Sequence, residues 1–285
     1  MDKDNFDKIN NKTKIFEIFK NQKYRSLKHN NYFYIYEELF GKFINSKITL
    51  VEIGVSNGGS LFMWRDYFGS KARIIGVDFN PTAKKWEKYG FEICIGNQSD
   101  KNFWKNFYYT IGKIDILIDD GGHTNQQQLE TFYSSYNNIN NDGIMVFEDT
   151  HASYLSEFGN PSKYSFVNFC FKVINEQNIK SLNSKVEKNY LKKIHKIEFF
   201  QSIIIFHIHE EKSQESKSID NKGIIFNSED YRLRDVKIFS IIEKMKLYIR
   251  KFFPIFMYNK LKKIYPIFKY FVFKIRNLKN RKYFN

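Results

Sequence analysis

The feature that most constrains the fold is an alternation of short apolar runs with segments of helical pattern. Such an alternation predicts a mainly parallel β-sheet with helices packed on both faces. The run Ile-Asp-Ile-Leu-Ile at 114–118 is largely apolar on both faces of a strand, as expected of a buried parallel strand. Strands are predicted at 48–53, 73–77, 92–95, 114–118 and 143–147, and helices at 61–68, 124–137 and 162–176.

Two further apolar runs, 194–200 and 202–208, lie so close together that an antiparallel pair at the sheet edge is expected. The expected fold class is therefore α/β, with a Rossmann-like, doubly wound, mainly parallel seven-stranded sheet. A helical region precedes this sheet, and a basic, aromatic helical extension follows it.

The net charge of +15 is concentrated at the C-terminal end of the chain. Residues 244–285 contain thirteen Lys or Arg and no Asp or Glu, which leaves a charge of only +2 for residues 1–243. Because the body of the protein is nearly neutral, its overall basicity does not indicate a nucleic-acid-binding protein.

The cysteine content and the N-terminus predict a cytoplasmic protein. Cys94 and Cys170 are far apart and have no metal-ligand spacing, which is typical of small buried residues in a reducing compartment. Residues 1–22 are charged and lack the apolar segment of a signal peptide. The sequence has no run of about 18 uncharged apolar residues, so a transmembrane helix is not expected.

A glycine-containing turn follows the first predicted strand and precedes a helix. It reads Glu52-Ile-Gly54-Val-Ser56-Asn-Gly58-Gly-Ser. Glycine lets a ligand approach the backbone, and free amides at a helix start favour polar or anionic groups. The spacing Gly-x-x-x-Gly-Gly differs from the Gly-x-Gly-x-x-Gly of dinucleotide-binding proteins, so this motif alone also fits a purely structural turn.

Polar residues after the next two strands strengthen the binding interpretation. Asp78 closes the second strand, where an acidic side chain can accept hydrogen bonds from both ribose hydroxyls of a nucleoside. In the turn after the third strand, Asn97, Gln98 or Ser99 can meet an adenine ring. The alternative, that Ser99 or Asp100 caps the next helix, is compatible with this role.

A second group of polar residues follows the fourth and fifth strands. Asp119, Asp120 and His123 come after the fourth strand, and Glu148 and Asp149 after the fifth. Neighbouring strands lie about 4.8 Å apart and their carboxyl ends line one crevice, so the carboxylates can converge. Converging carboxylates repel unless one is protonated or a cation joins them, and an all-oxygen site suits Mg²⁺, Mn²⁺ or Ca²⁺. Carboxylates that cap helices or face water are the structural alternative.

Taken in order, these motifs resemble those of class I methyltransferases, which bind S-adenosylmethionine. The segment Leu-Val-Glu-Ile-Gly-Val-Ser-Asn-Gly-Gly-Ser-Leu-Phe-Met-Trp-Arg-Asp-Tyr-Phe at 50–68 resembles the metal-dependent sugar O-methyltransferases of the macrocin and mycinamicin type. This resemblance covers residues 20–210. It implies S-adenosylmethionine contacts from Glu52, Gly54, Ser56, Gly58, Asp78, Asn97, Gln98, Ser99 and Asp119. It also implies Mg²⁺ or Mn²⁺ at Asp120, Glu148 and Asp149, with His123 as general base.

The implied roles agree with the chemistry of the residues. A metal that binds two neighbouring sugar hydroxyls lowers the pKa of one of them, and His123 can remove that proton near neutral pH. The oxygen then attacks the sulfonium methyl in line. His151 either contacts substrate or metal or is a loop residue, and His29 lies in the segment 23–36 that loosely resembles the substrate side of the family. The remaining histidines, His195, His207 and His209, are expected to be structural.

Four regions are expected: an N-terminal helical cap at 1–46, an S-adenosylmethionine-binding domain at 47–210, a polar linker at 211–230 and a basic amphipathic extension at 231–285. The spacing of apolar residues in the cap predicts a helix that either covers the sheet or forms a lid over the cofactor. These residues are Tyr32, Phe33, Tyr36, Leu39 and Phe40.

The extension interleaves Lys and Arg with Phe, Tyr and Ile, and Pro254 and Pro266 are predicted to split it into short helices. Basic, aromatic helices suit an anionic membrane surface, which would place the protein peripherally on the inner face of the membrane. Packing on the core or on a second copy in a homo-oligomer is the alternative, and single-stranded nucleic acid is a weaker one. The methyltransferase resemblance does not cover 244–285.

The sequence thus predicts a Mg²⁺-dependent O-methyltransferase acting on a sugar hydroxyl of a small molecule or glycan, as in surface polysaccharide biosynthesis. Two alternatives stay open: methylation of a non-sugar small molecule at the same metal site, and a membrane-tethered binding protein without catalysis. The intact set of acids and imidazole favours catalysis over the latter.

Overall fold

A computed structural model describes residues 8–180, 188–224, 241, 245 and 255–283. The chain divides into two compact units, Met1–Ser218 and Ile219–Asn285.

The first unit is built on one mixed sheet. Its strands are β1 (Thr49–Ile53), β2 (Arg73–Asp78), β3 (Glu92–Ile95), β4 (Ile114–Asp119), β5 (Ile139–Phe147), β6 (Ile194–Phe200) and β7 (Ile203–Ile208). They form a seven-stranded sheet in the order β3-β2-β1-β4-β5-β7-β6. The first five strands pair in parallel, and β7 runs antiparallel to both β5 and β6. The predicted doubly wound, mainly parallel sheet with an antiparallel pair at its edge is confirmed.

Helices cover both faces of this sheet. They are α1 (Lys14–Lys20), α2 (Tyr32–Phe40), α3 (Gly59–Phe68), α4 (Lys101–Ile111), α5 (Asn125–Ser135) and α6 (Phe166–Lys180). Because successive side chains of a strand point to opposite faces of the sheet, each strand contributes residues to two hydrophobic cores, one on each face. Leu50 packs with α2 and α3 on one face, whereas the adjacent Val51 packs with α4 and α5 on the other.

The helix of the N-terminal cap packs into the core. Tyr32, Phe33, Tyr36 and Phe40 on α2 are buried and join the cluster that covers the sheet. The ring of Tyr36 stands edge-on to Trp64 of α3, with 5.1 Å between the ring centroids. Of the two predicted roles for this helix, these side chains have the packing role, and α2 covers one face of the sheet.

The starts of two predicted elements, one helix and one strand, differ from the structure by four residues. The sixth helix begins at Phe166 instead of 162, because the Asn125 side chain accepts a hydrogen bond from the Phe166 N–H at 3.1 Å and caps the helix from a distant loop. Strand β5 begins four residues before the predicted start, at Ile139, because residues 140–142 are polar and carry no apolar signal; its register with β4 shifts in this stretch. The alternative that Asp100 caps α4 is confirmed, since its side chain accepts from the Asn102 N–H.

The second unit contains one long described helix, α7 (Ile255–Leu278), followed by a 3₁₀ turn at Lys279–Tyr283. The prediction that Pro266 splits this segment is wrong, because the helix continues through it. A proline removes a single N–H donor, and the remaining hydrogen bonds of a long helix can tolerate that loss at the cost of a bend. Pro254 lies outside the described residues. None of the described helices combines the length and apolar character needed to cross a membrane.

The turn after β1 and the turn after β4 pack directly against each other at Gly54. A Cβ at this position would lie 2.0 Å from the carbonyl oxygen of Asp120, and Gly54 has a φ of +91°. Both the close approach and the left-handed backbone require glycine here.

Gly54→Ala is therefore expected to lower the free energy of unfolding by on the order of 3 kcal/mol, measured by urea denaturation. Gly41→Ala is the matched control, because no atom lies within 4 Å of its Cβ position and its φ is −53°. An unchanged urea midpoint for Gly54→Ala would show that the two turns do not pack this closely.

Candidate active site

The carboxyl ends of the parallel strands open into one cavity of about 910 Å³. Its wall consists of the turns after β1 to β5 together with residues 25–27 of the N-terminal segment. The structure brings most of the predicted site residues together on this wall. They are Gly54, Ser56, Asp78, Asn97, Gln98, Ser99, Asp120, His123 and Asp149.

Four predicted residues lie behind the wall. Glu52, Asp119 and Glu148 are completely buried. Gly58 packs against Trp86, whose ring would be 2.5 Å from a Cβ at this position. These residues shape the wall, and a ligand in the cavity reaches them only through their neighbours.

Asp78 fixes the glycine-containing turn. Its Oδ2 accepts hydrogen bonds from the backbone N–H of Val55 at 2.9 Å and of Ser56 at 3.1 Å. Its Oδ1 accepts one from the N–H of Asn80 at 2.8 Å. A carboxylate has about four lone-pair sites, and these bonds use three of them, so Asp78 can hold the turn and still accept one hydrogen bond from a ligand on Oδ1.

Glu52 fixes the start of α3 from inside the protein. Its carboxylate accepts hydrogen bonds from the Ser60 hydroxyl at 2.7 Å and from the Trp64 ring N–H at 3.0 Å. Burial raises the pKa of Glu52, and the nearby Lys28 ammonium and these two donors oppose the rise. The glycine-containing turn is thus anchored at both its strand end and its helix end.

Gln98 connects the turns after β3 and β4. Its side-chain amide donates to both oxygens of Asp119, at 3.0 and 3.1 Å, and its carbonyl oxygen accepts from the Gly122 N–H at 3.0 Å. Burial raises the pKa of Asp119, and the hydrogen bonds from Gln98 oppose the rise. Asn97 is exposed on the cavity side, and its side chain accepts from the Ser99 N–H at 2.9 Å.

His123 and Asp149 both adopt left-handed backbone conformations, with φ of 56° and 52°. Such conformations are strained for residues other than glycine and cluster at functional sites. The His123 Nε2 atom lies 3.5 Å from Asp149 Oδ2 and 3.9 Å from Asp120 Oδ1. Its Nδ1 atom is buried and has no hydrogen-bond partner among the described residues. The imidazole is therefore held between two carboxylates at the cavity wall.

Lys28, which belongs to no motif of the sequence, lies at the centre of the acidic residues. Its Nζ donates to Asp120 Oδ2 at 2.7 Å and to Glu148 Oε2 at 2.8 Å, and lies 3.7 Å from Glu52 Oε1. Burial lowers the pKa of Lys28, but the three carboxylates outweigh burial and hold this pKa well above its usual value. No local signal could reveal the contact, since Lys28 is 92 residues from Asp120 and 120 from Glu148.

Two tyrosines of α2, predicted as part of a helix that covers the sheet or forms a lid, also contact the acids. The Tyr36 hydroxyl donates to Glu148 Oε1 at 2.5 Å, and the Tyr32 hydroxyl donates to Asp149 Oδ1 at 2.7 Å. Their pKa values are raised, mainly by burial and next by the negative charge of Glu148. The N-terminal helix therefore orients two of the predicted metal-binding residues.

The histidines with open roles lie beside Asp149. His29 Nε2 is 3.4 Å from Asp149 Oδ1, and the rings of His29 and His151 stand edge-on with centroids 5.3 Å apart. The His151 Nδ1 atom is hydrogen-bonded to the Ser202 hydroxyl at 2.5 Å. The three histidines expected to be structural lie on or after β6 and β7, outside the cavity wall.

The donor atoms at the cavity wall fit a divalent cation. One donor atom each from Asp120, His123 and Asp149 lies within 4.8 Å of the others, and His29, Asp149 and His151 form a second such group. Carboxylate oxygens are the ligands that Mg²⁺ prefers, and Mn²⁺ also accepts imidazole nitrogen. Glu148 is close to the first group, but its two oxygens face Lys28 and Tyr36.

The fold is that of class I methyltransferases. MycE methyltransferase from the mycinamycin biosynthetic pathway, solved with Mg and SAH (S-adenosylhomocysteine), matches with a TM-score of 0.61 and 21% identity over 72% of this chain and 54% of that chain. The same enzyme with Mg, SAH and mycinamycin VI matches with a TM-score of 0.57 and 22% identity over 70% and 53% of the two chains. No protein-family model matches the chain.

Five sequence relatives are named as O-methyltransferases. The 8-demethyl-8-alpha-L-rhamnosyl tetracenomycin-C 2'-O-methyltransferase of Streptomyces olivaceus is 34% identical over 130 residues, which are 43% of this chain and 34% of that protein. The demethylmacrocin O-methyltransferase of Streptomyces fradiae is 28% identical over 134 residues, 45% of this chain and 33% of that protein. The chain spans about a third of the length of these curated relatives. The predicted resemblance to the macrocin and mycinamicin type is confirmed.

Gln98→Leu is expected to lower the free energy of unfolding by about 2 kcal/mol. The substitution removes the two hydrogen bonds from the Gln98 amide to the buried Asp119 carboxylate and the acceptor of the Gly122 N–H. Urea denaturation measures this loss. Asn102→Ala, at an exposed position of α4, serves as the control and is expected to change stability by less than about 0.5 kcal/mol. Equal stability of the two variants would contradict the structural role of Gln98.

Proposed function

We propose that the protein is an S-adenosylmethionine-dependent, Mg²⁺-dependent O-methyltransferase that acts on a sugar hydroxyl. The observation that carries this proposal is the convergence of Asp120, His123 and Asp149 on the same cavity wall as Gly54 and Asp78. One side of the cavity has the features of a nucleoside site and the other has a general base beside two carboxylates. Transfer of a methyl group to a hydroxyl requires both sides.

The donor side is assigned to the turns after β1, β2 and β3. Bound S-adenosylmethionine supplies an electrophilic methyl group on a sulfonium. The Asp78 carboxylate has one lone pair left, on Oδ1, for a ribose hydroxyl, and its hydrogen bonds from Val55 and Ser56 hold the turn in place for the ligand. Asn97, which lies on the cavity wall, is proposed to contact the adenine.

The acceptor side is assigned to the turns after β4 and β5. Asp120 and Asp149 would hold the cation; Glu148, the third metal-binding residue that the resemblance implies, has its two oxygens bonded to Lys28 and Tyr36. A bound Mg²⁺ lowers the pKa of a coordinated hydroxyl. His123 accepts the hydroxyl proton on Nε2, and the two carboxylates near this nitrogen stabilise the resulting imidazolium. The hydroxyl oxygen forms a bond to the methyl carbon as the carbon–sulfur bond breaks, which leaves a neutral thioether.

The acceptor is proposed to be a glycoside, because two relatives are named as the 2'- and 3'-O-methyltransferases of a rhamnosyl tetracenomycin C. A surface polysaccharide or its activated precursor is the acceptor that we favour for this chain. Mass spectrometry of surface glycans from cells with and without the protein tests this choice. A methyl group that persists in cells without the protein would exclude the glycan, and a non-sugar hydroxyl compound would then be the alternative acceptor.

His123→Ala is expected to lower kcat for methyl transfer by about 100-fold or more, because the hydroxyl loses its proton acceptor. The affinity for S-adenosylmethionine, measured by isothermal titration calorimetry, is expected to stay unchanged. Excess chelator is expected to abolish transfer in the wild type while donor binding persists. His195→Ala on β6, outside the cavity wall, is the control variant. Full activity in chelator would exclude the metal, and binding of NAD instead of S-adenosylmethionine would exclude the reaction.

We propose as a second property that the C-terminal extension binds an anionic membrane surface. Six apolar or aromatic residues of α7 are more than half exposed, and lysines lie between them. These six residues are Ile264, Ile267, Tyr270, Phe271, Ile275 and Leu278. Interfacial helices combine exposed apolar side chains with basic ones in this way.

Replacing three exposed lysines of the second unit with glutamine is expected to weaken co-sedimentation with phosphatidylserine vesicles by about 100-fold, since each contributes about 1 kcal/mol. These residues are Lys263, Lys274 and Lys279. The control replaces three exposed lysines of the first unit, Lys71, Lys101 and Lys105. If the wild-type protein does not co-sediment with anionic vesicles but forms oligomers through the extension, the membrane proposal is wrong and the extension serves self-association.

A further inference from the structure

We propose that Lys28 is the permanent counter-cation of the acidic cluster, which we define as Glu52, Asp120, Glu148 and Asp149. Lys28 holds Glu148 in a layer behind the metal site, so that a divalent ion contacts Asp120 and Asp149, next to His123. The part of this proposal that concerns the ion rests on the proposed function. The part that concerns Lys28 stands on the geometry of the chain alone.

The first argument is burial. Only 1% of the Lys28 side-chain surface is exposed, and Glu52 and Glu148 are at 0%. A buried ammonium is tolerated only when it is paired and hydrogen-bonded, and buried carboxylates have the same requirement. Lys28 therefore pairs with two carboxylates by direct hydrogen bonds and with a third by proximity.

The second argument is the division of the cluster into a front and a back. Asp120 and Asp149 are 22% and 25% exposed and lie on the cavity wall, whereas Glu148 and Lys28 are buried behind it. The two oxygens of Glu148 already accept hydrogen bonds from Lys28 and Tyr36. Asp120 uses Oδ2 for Lys28, so its Oδ1 is turned toward His123. An ion that enters from the cavity first meets Asp120 and Asp149, beside His123.

The third argument is that Lys28 joins the two halves of the site. Its neighbours Arg25, Ser26 and Leu27 line the cavity, and its ammonium contacts both Asp120 on the acceptor side and Glu52 on the donor side. Glu52 in turn holds the start of α3 through Ser60. Lys28 is thus a positioning residue: it acts through the carboxylates that it orients.

The first test is thermal unfolding of the full chain in excess EDTA and in Mn²⁺. Lys28→Met keeps most of the side-chain volume and removes the charge. It is expected to lower Tm in EDTA by on the order of 10 °C, because breaking a buried ion pair by removing one partner is strongly destabilising. In Mn²⁺ part of this loss is expected to be recovered, since an ion can then replace the missing cation. Lys23→Met, at an exposed position that lies over the Tyr24 ring, is the matched control and is expected to leave Tm unchanged.

A double variant keeps the test decisive if Lys28→Met alone fails to fold. Lys28→Met combined with Glu148→Gln removes the carboxylate that depends most on the ammonium, and the glutamine carbonyl can still accept from Tyr36. This variant is expected to unfold at a higher temperature in EDTA than Lys28→Met alone. Equal or lower stability of the double variant would overturn the pairing, as would a wild-type Tm in Lys28→Met.

The second test locates the ion by anomalous scattering from a crystal of the full chain soaked in Mn²⁺. The expected result is a peak beside Asp120, Asp149 and His123, with the Lys28 ammonium still on Glu148. A peak coordinated by Glu148, with Lys28 displaced, would overturn the proposal while leaving a metal-dependent methyltransferase intact. Absence of any peak at the cavity wall, with the EDTA results as expected, would overturn the metal part of the proposed function and leave the role of Lys28 standing.

Discussion

The structure depends on the register in which β4 lies between β1 and β5. The ladder continues past the strand ends, where the Asp120 N–H donates to the Ile53 carbonyl at 3.1 Å and the Glu148 N–H donates to the Asp119 carbonyl at 2.9 Å. These two hydrogen bonds place the turns after β1, β4 and β5 side by side at one edge of the sheet. A shift of one residue in either pairing would send the carboxylates to opposite faces, since neighbouring side chains of a strand point in opposite directions.

Bringing so many acids together carries an electrostatic cost, and the N-terminal segment offsets much of it. Lys28 supplies a buried positive charge, while Tyr36 and Tyr32 on α2 donate hydrogen bonds to Glu148 and Asp149. The same helix fills the core with its aromatic residues. The segment ahead of the sheet therefore serves both packing and site assembly. The sheet and this segment depend on each other.

Much of the fold and of the site was predictable because it rests on local patterns. Apolar alternation located the strands, and polar residues such as Asp78, Asp120 and Asp149 just after strand ends identified the edge that carries the site. The errors arose where a distant contact or a backbone effect decided the outcome. The capping of α6 by Asn125 fixed a helix start that no neighbouring residue signals, and a long helix tolerated Pro266. The separation of Glu148 from the cavity wall is of the same kind, because it depends on Lys28 and Tyr36.

The sequence by itself determined the order of strands and helices, the glycine at position 54 and the acids that follow each strand, since periodicity and turn chemistry are local properties of the chain. It also identified the class of fold through the resemblance of these motifs. Only the tertiary structure decided which acids face the cavity, which are buried, and which cation sits among them. The reason is physical: pairing between Lys28 and residues about a hundred positions away is created by folding, and no local pattern records it.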